Sequence, residues 1–205
     1  MEYMKTIPNK FFNLAVSDPP YGINSGKINQ RLNHGCGKLK NRLLNQSDFC
    51  WDNQSPEKEY FEELFRVSRN CVIWGGNYFD LPPSRCIVVW DKMQPWENFS
   101  QVEIAWTSFD YPAKLFSYCN TGGQRDGETK IHPTQKPIAL YDYIFKTFAK
   151  EGDKIFDSHM GSQSSRISAW KAGLDYYGCK INEVYYKLGE ERFAKYSAQM
   201  NLFID

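Results

Sequence analysis

The chain has 205 residues, with 25 Lys and Arg against 24 Asp and Glu and a formal net charge of +1. That balance excludes attraction to nucleic acid through global charge, so any basic surface must be local. The length favours one domain over 1–205 with a sound core. No run is long and apolar enough for a membrane-spanning helix, and Met1-Glu2-Tyr3-Met4-Lys5 has no signal-peptide pattern. The six cysteines form no CxxC pair, which predicts reduced, packed thiols in a cytoplasmic protein and no zinc site.

The first predicted element is a strand over 11–16, and it runs into Asp18-Pro19-Pro20-Tyr21. Residues 24–48 follow as a polar, basic loop carrying Lys38, Lys40 and Arg42, with no acid before Asp48. Tyr60, Phe61, Leu64 and Phe65 recur at helical spacing over 57–69. A strand over 71–74 ends at Trp74-Gly75-Gly76-Asn77. Strands over 85–90, 102–107 and 113–118 come without intervening helices and predict an antiparallel edge. A Gly-rich loop over 119–131 leads to His132-Pro133-Thr134-Gln135-Lys136-Pro137, which opens a helix over 137–150. There Pro137 suits the first turn and Gly152 the stop. A strand over 153–157 enters Asp157-Ser158-His159-Met160-Gly161-Ser162-Gln163-Ser164, followed by a helix over 163–172. A strand over 175–180 and a final helix over 182–200 complete the chain. Strands alternating with helices predict an α/β sheet with a largely parallel part.

Four segments carry candidate chemistry. In Asp18-Pro19-Pro20-Tyr21 the acid and the proline carbonyls can accept hydrogen bonds from an amino group. The prolines fix those acceptors, and the tyrosine offers a flat face for a planar ring. The same residues also make an ordinary turn. The strand–loop–helix at 157–164 has the form of a nucleotide-type cofactor site, with Gly161 admitting close approach and a helix N-terminus offering free N–H groups; an ordinary crossover reads the same way. At the end of the next strand, where an acid would hold a ribose, the chain has Lys180 with Glu183 nearby. Residues 132–137 supply donors and a positive charge on a proline-stiffened loop, or a plain helix cap. Trp74 and Asn77 can wall a base pocket or make a tight turn.

These segments, in this order, resemble the β-class DNA amino-methyltransferases that act on adenine N6 or cytosine N4, most of all the small phage and prophage forms. The resemblance runs from about Leu14 to Phe193. It implies a Rossmann-like α/β methyltransferase fold, with a mixed sheet, helices on both faces and permuted motif order. Asp18, Pro19, Pro20 and Tyr21 would be the catalytic motif. His132, Pro133, Thr134, Gln135, Lys136, Asp157, Ser158, His159, Gly161, Ser162, Gln163 and Ser164 would embrace S-adenosyl-L-methionine. Tyr21, Trp74, Asn77, Lys38, Lys40 and Arg42 are the candidate substrate contacts, the basic ones to phosphates.

An Asp at the head of the motif, in place of the Ser commoner in cytosine enzymes, favours adenine. The implied partner is duplex DNA with a flipped base, and the resemblance also implies a homodimer. A non-catalytic relative and the same chemistry on cytosine N4 or RNA are the alternatives. Two residues depart from the family pattern. Gln163 stands for a glycine, which is expected to narrow the loop. Lys180 stands for the Glu that binds the ribose; a cation cannot accept those hydrogen bonds, and the loss predicts roughly tenfold to hundredfold weaker cofactor binding.

Overall fold

The computed structural model describes residues 1–23, 52–94, 100–119, 131–132 and 134–201. Lys38, Lys40, Arg42 and Pro133 lie outside the described residues, as do the basic segment and most of the Gly-rich loop. The chain opens with a short helix, α1 (Glu2–Lys5), and then β1 (Phe12–Ser17). The helix α2 (Lys58–Val67) passes directly into β2 (Ser68–Trp74), its cap Ser68 being already extended. A single 3₁₀ turn, Gly76–Tyr78, follows. Then come β3 (Ile87–Asp91), β4 (Val102–Thr107), β5 (Lys114–Ser117), α3 (Ile138–Phe148), β6 (Lys154–Asp157), α4 (Ser164–Lys171), β7 (Asp175–Gly178) and α5 (Glu183–Asn201).

All seven expected strands and four expected helices are present. α1 was not expected from the sequence. It is held by Arg66, which donates to Met4 O at 2.7 Å and Ile7 O at 2.9 Å while pairing with Glu63. A four-residue helix is too short to persist on propensity, so its cause lies in α2.

The strands form one sheet in the order β5-β3-β4-β2-β1-β6-β7. β1 lies parallel to β2 and β6, β6 parallel to β7, and β3 parallel to β5. β4 runs antiparallel to both β2 and β3. The expected antiparallel edge is present in part: β5, β3 and β4 form one side of the sheet and β4 is antiparallel to both neighbours, but β4 is internal and the edge strand β5 is parallel to β3. On one face Leu14, Val16, Val72, Trp74 and Ile155 pack with α3 and α4. On the other, Ala15, Cys71, Ile73 and Phe156 pack with α1 and α2.

Because β1, β2, β6 and β7 are parallel, their carboxyl ends share one edge of the sheet, where α/β folds bind ligands. The reversal of β4 brings its first residues, including Glu103, to that same edge. No helix among the described residues is long and apolar enough to cross a membrane.

Candidate active site

β1 ends at Ser17, which is buried, and the chain turns at once into Asp18 and a buried Pro19. Both oxygens of the Asp18 carboxylate are engaged. Oδ1 accepts from the Tyr21 hydroxyl at 2.7 Å, and Oδ2 accepts from Lys136 Nζ at 2.6 Å. Asp52 fixes the turn from below, its Oδ1 accepting from the backbone N–H of Tyr21 at 2.7 Å and of Gly22 at 2.9 Å. Burial, followed by Asp18 and Glu103, holds the Tyr21 phenol well above its ordinary range, so it stays a hydrogen-bond donor to Asp18.

Gly75 and Gly76 make room for this arrangement. Gly75 is left-handed at φ 72, and a Cβ there would lie 2.2 Å from Tyr21 Cε1. A Cβ on Gly76 would lie 2.6 Å from Trp106 Cβ. The next turn places Tyr78 in a stack on Tyr21, with ring centroids 4.8 Å apart and planes 14° apart. Tyr78 is exposed, and Asn77 beside it is exposed too. Trp74 is different. It was expected among the substrate contacts, but its ring is fully buried, set edge-on to Trp90 and 5.4 Å beneath Lys136 Nζ. The end of a central strand points it into the core, which leaves Tyr78 as the exposed ring beside Tyr21.

Lys136 is the hinge of the site's charges. It also lies 3.0 Å from Glu103 Oε2, while Glu103 Oε1 pairs with Lys92 at 2.5 Å. Burial alone would lower Lys136, but Asp18 and Glu103 outweigh it and hold the ammonium above its usual range. Burial would likewise raise Glu103, and Lys136 with Lys92 reverse this and hold it at about 2. Other described residues of 132–137 bond within the segment and pack on α5. Gln135 N donates to His132 O at 3.1 Å, and Gln135 Oε1 accepts from Ile131 N at 2.9 Å. The Thr134 hydroxyl lies 3.2 Å from His132 Nδ1, and the His132 ring packs on Tyr185 at 4.6 Å. So of this motif it is Lys136 that reaches the Asp18 carboxylate.

The loop after β6 stands next to β1. Ser17 Oγ, Tyr60 OH and Ser158 Oγ form a closed triangle of hydroxyls, with separations of 2.8, 2.8 and 2.6 Å. His159 Nδ1 lies 3.0 Å from Ser158 Oγ. Burial, then Lys180 and the N-terminal amine, pull His159 down to about 4. Asp157, at the end of β6, accepts from His159 N at 2.9 Å and from Ser165 Oγ at 2.6 Å. Burial pushes it up to about 6 against those hydrogen bonds.

Gly161 turns with φ 33. Gln163 keeps a left-handed backbone, φ 61 and ψ 24, and its side chain does not cap α4. It leaves the loop instead and lies against Gly189, with Nε2 donating to Glu190 Oε1 at 3.1 Å and Oε1 accepting from Arg166 at 2.8 Å. The expected narrowing by Gln163 is therefore not seen, because its side chain is taken up by α5. Arg192 donates to Ser162 O at 2.7 Å and to Ser164 Oγ at 3.0 Å. Lys180 sits just past β7 with Nζ 5.2 Å from the Tyr185 ring centre.

The sequence pointed to neither Asp52 nor Glu103. Glu103 leaves one trace, an acid within the apolar strand Val102-Glu103-Ile104-Ala105-Trp106. Asp52 leaves none, since the backbone N–H groups of Tyr21 and Gly22 that it accepts from lie 31 and 30 positions away. Tyr60 was visible only as part of the apolar stripe of α2.

Comparison with known proteins adds to this geometry. The chain is 24% identical over 151 residues to the type II methyltransferase M2.DpnII of Streptococcus pneumoniae, a match covering 74% of this chain and 51% of that protein. The chain thus spans about half the length of the curated relatives it matches. Its fold is that of the cytosine-N4-specific PvuII DNA methyltransferase, with a TM-score of 0.59 at 13% identity over 97% of this chain and 87% of that one. It is also that of TTHA0409 of Thermus thermophilus, complexed with S-adenosyl-L-methionine, with a TM-score of 0.56 at 18% identity over 95% and 90% of the two chains. A family model described as DNA methylase, of the N6/N4 methyltransferase type, matches residues 89–191. That span is half of the sequence and holds the motif 132–137 and the loop after β6, and the chain belongs to the N6/N4 DNA methylase family.

Proposed function

We propose that the chain is a DNA methyltransferase that moves the methyl group of S-adenosyl-L-methionine to the exocyclic N6 amine of adenine. The observation that carries this is the contact between the two halves of the site. Ser17, adjacent to Asp18, bonds at 2.8 Å to Ser158 of the loop after β6, so an amine clamp and a cofactor-type loop meet on adjacent parallel strands.

The loop fits the cofactor in its turn at Gly161 and its uncapped helix start. When bound, S-adenosyl-L-methionine supplies a methyl group on a sulfonium centre. The loop from Asp157 to Ser164 would hold it, with Lys180 a poor partner for ribose hydroxyls.

Adenine's amino lone pair is spread into its ring. The Asp18 carboxylate and the Pro19 carbonyl accept the amine's N–H bonds, which localises that lone pair on nitrogen. Tyr21 steadies Asp18 through its hydroxyl. Methylation leaves the nitrogen positively charged with two hydrogens, and one leaves as a proton, to the Asp18 carboxylate or to water. A base within a duplex cannot reach such a pocket and must be flipped out; Tyr78, exposed and stacked on Tyr21, supplies the flat ring to receive it. The Asp at the head of the motif favours adenine over cytosine.

Expression in a methylation-free host, followed by mapping of methylated bases, tests the reading. N6-methyladenine that disappears with Asp18→Ala is expected. Methyl groups on cytosine alone would replace the base assignment, and unmodified DNA together with no cofactor binding in calorimetry would refute the activity.

A further inference from the structure

We propose that Glu103 is a positioning residue that draws Lys136 off Asp18 when the target amino group enters. The inference rests on the methyltransferase reading above. As the structure stands, Lys136 Nζ is 2.6 Å from Asp18 Oδ2 and 3.0 Å from Glu103 Oε2. The first contact is a hydrogen bond. The second is an ion pair without an aligned hydrogen bond, at an oxygen screened from solvent. The ammonium thus stands within ion-pair reach of both carboxylates, and a small shift decides which of them it holds more closely.

Glu103 is held for this purpose. Its Oε1 is anchored by Lys92 at 2.5 Å, and β4 fixes its backbone opposite Trp90. Lys136 also lies over the Trp74 ring at 5.4 Å. The two carboxylates therefore compete for one cation.

The competition bears on the chemistry at Asp18. An amine that attacks a methyl group gains positive charge on nitrogen, so it gains from a free carboxylate and loses from a cation on the same oxygens. Lys136 on Asp18 stabilises the resting clamp, and Lys136 on Glu103 leaves Asp18 Oδ2 to the incoming N–H. The Tyr21 hydroxyl, 2.7 Å from Oδ1, keeps the carboxylate in place during the exchange.

The test compares methyl transfer from tritiated S-adenosyl-L-methionine to unmethylated genomic DNA by wild type, Glu103→Gln and Lys136→Arg. Glu103→Gln removes the competing charge. Lys136→Arg keeps the cation, but its fork can hold both carboxylates at once and stays on Asp18. Each variant is expected to lower kcat by about 10- to 100-fold, the factor of one charge-assisted hydrogen bond, with KM for DNA and Kd for the cofactor within about threefold. A merely structural Glu103 would leave Lys136→Arg near wild type, because charge balance is kept; wild-type kcat in a folded Lys136→Arg overturns the proposal. Equal losses in KM and kcat for Glu103→Gln overturn it as well. If wild type transfers no methyl group at all, the methyltransferase reading fails, and this inference with it.

Discussion

Replacing His159 by Asn is expected to change the pH dependence of stability more than stability at neutrality. Burial, Lys180 and the N-terminal amine lower the imidazole from 6.5 to about 4. Below pH 6.5 the unfolded chain takes up a proton that the folded chain refuses, so this group's contribution is lost as pH falls through about 4. Asp157 works the other way. Burial raises it from 3.8 to about 6, so its contribution is present below 3.8 and lost as pH rises through about 6. At about 1.36 kcal/mol per unit, each amounts to about 3 kcal/mol with opposite sign. Between pH 6.5 and 4 the pair therefore nearly cancels in the wild type.

His159→Asn removes one half of that balance. Relative to wild type, the variant is expected to become more stable by about 3 kcal/mol on going from pH 6.5 to 4. Asp157→Asn should show the mirror image and lose a similar amount. Urea unfolding followed by tryptophan fluorescence at several pH values measures both. If the variant and wild type differ by an amount that stays constant to ~0.5 kcal/mol across the range, the reasoning is refuted.

Asp52→Ala leaves two backbone donors of the Asp18 turn without their acceptor and is expected to cost about 2–5 kcal/mol in chemical denaturation, with methyl transfer lost in parallel. Gly75→Ala forces a Cβ into the Tyr21 ring, whereas Gly152→Ala has the same left-handed backbone and open space around it. The first should therefore lose activity and at least about 1–3 kcal/mol more than the second, as compared by thermal unfolding. Lys180→Glu restores an acceptor at the end of β7 and is expected to tighten S-adenosyl-L-methionine binding by roughly tenfold or more in calorimetry. An unchanged Kd would place Lys180 away from the ribose.

The elements with a clear apolar period were legible. The stripe Tyr60, Phe61, Leu64 fixed α2, and β1 was visible in Leu14, Ala15 and Val16. The positions of Asp18 just past β1 and of Asp157 at the end of β6 were legible too, since each follows a short apolar run. What escaped was set by contacts between distant residues. α1 exists because Arg66 grips its carbonyls. The direction of β5 depends on its parallel pairing with β3, and apolar alternation reads the same in both directions. The contact of Lys136 with Asp18 is of the same kind. It spans 118 positions, and no local spacing encodes it. Gln163 was expected to crowd the loop because sequence shows a side chain's size but not the direction in which it leaves.

The exit of Gln163 toward Gly189, and the reach of Arg192 back to Ser162 O, make the last helix a part of the loop's own stability. The backbone from Gly161 to Ser164 cannot open while α5 stays docked without breaking those hydrogen bonds. The two should therefore exchange their amide hydrogens as one unit, at the free energy of undocking the helix rather than that of a loose loop. The C-terminal helix thus sets how stiffly the protein holds the turn that follows β6.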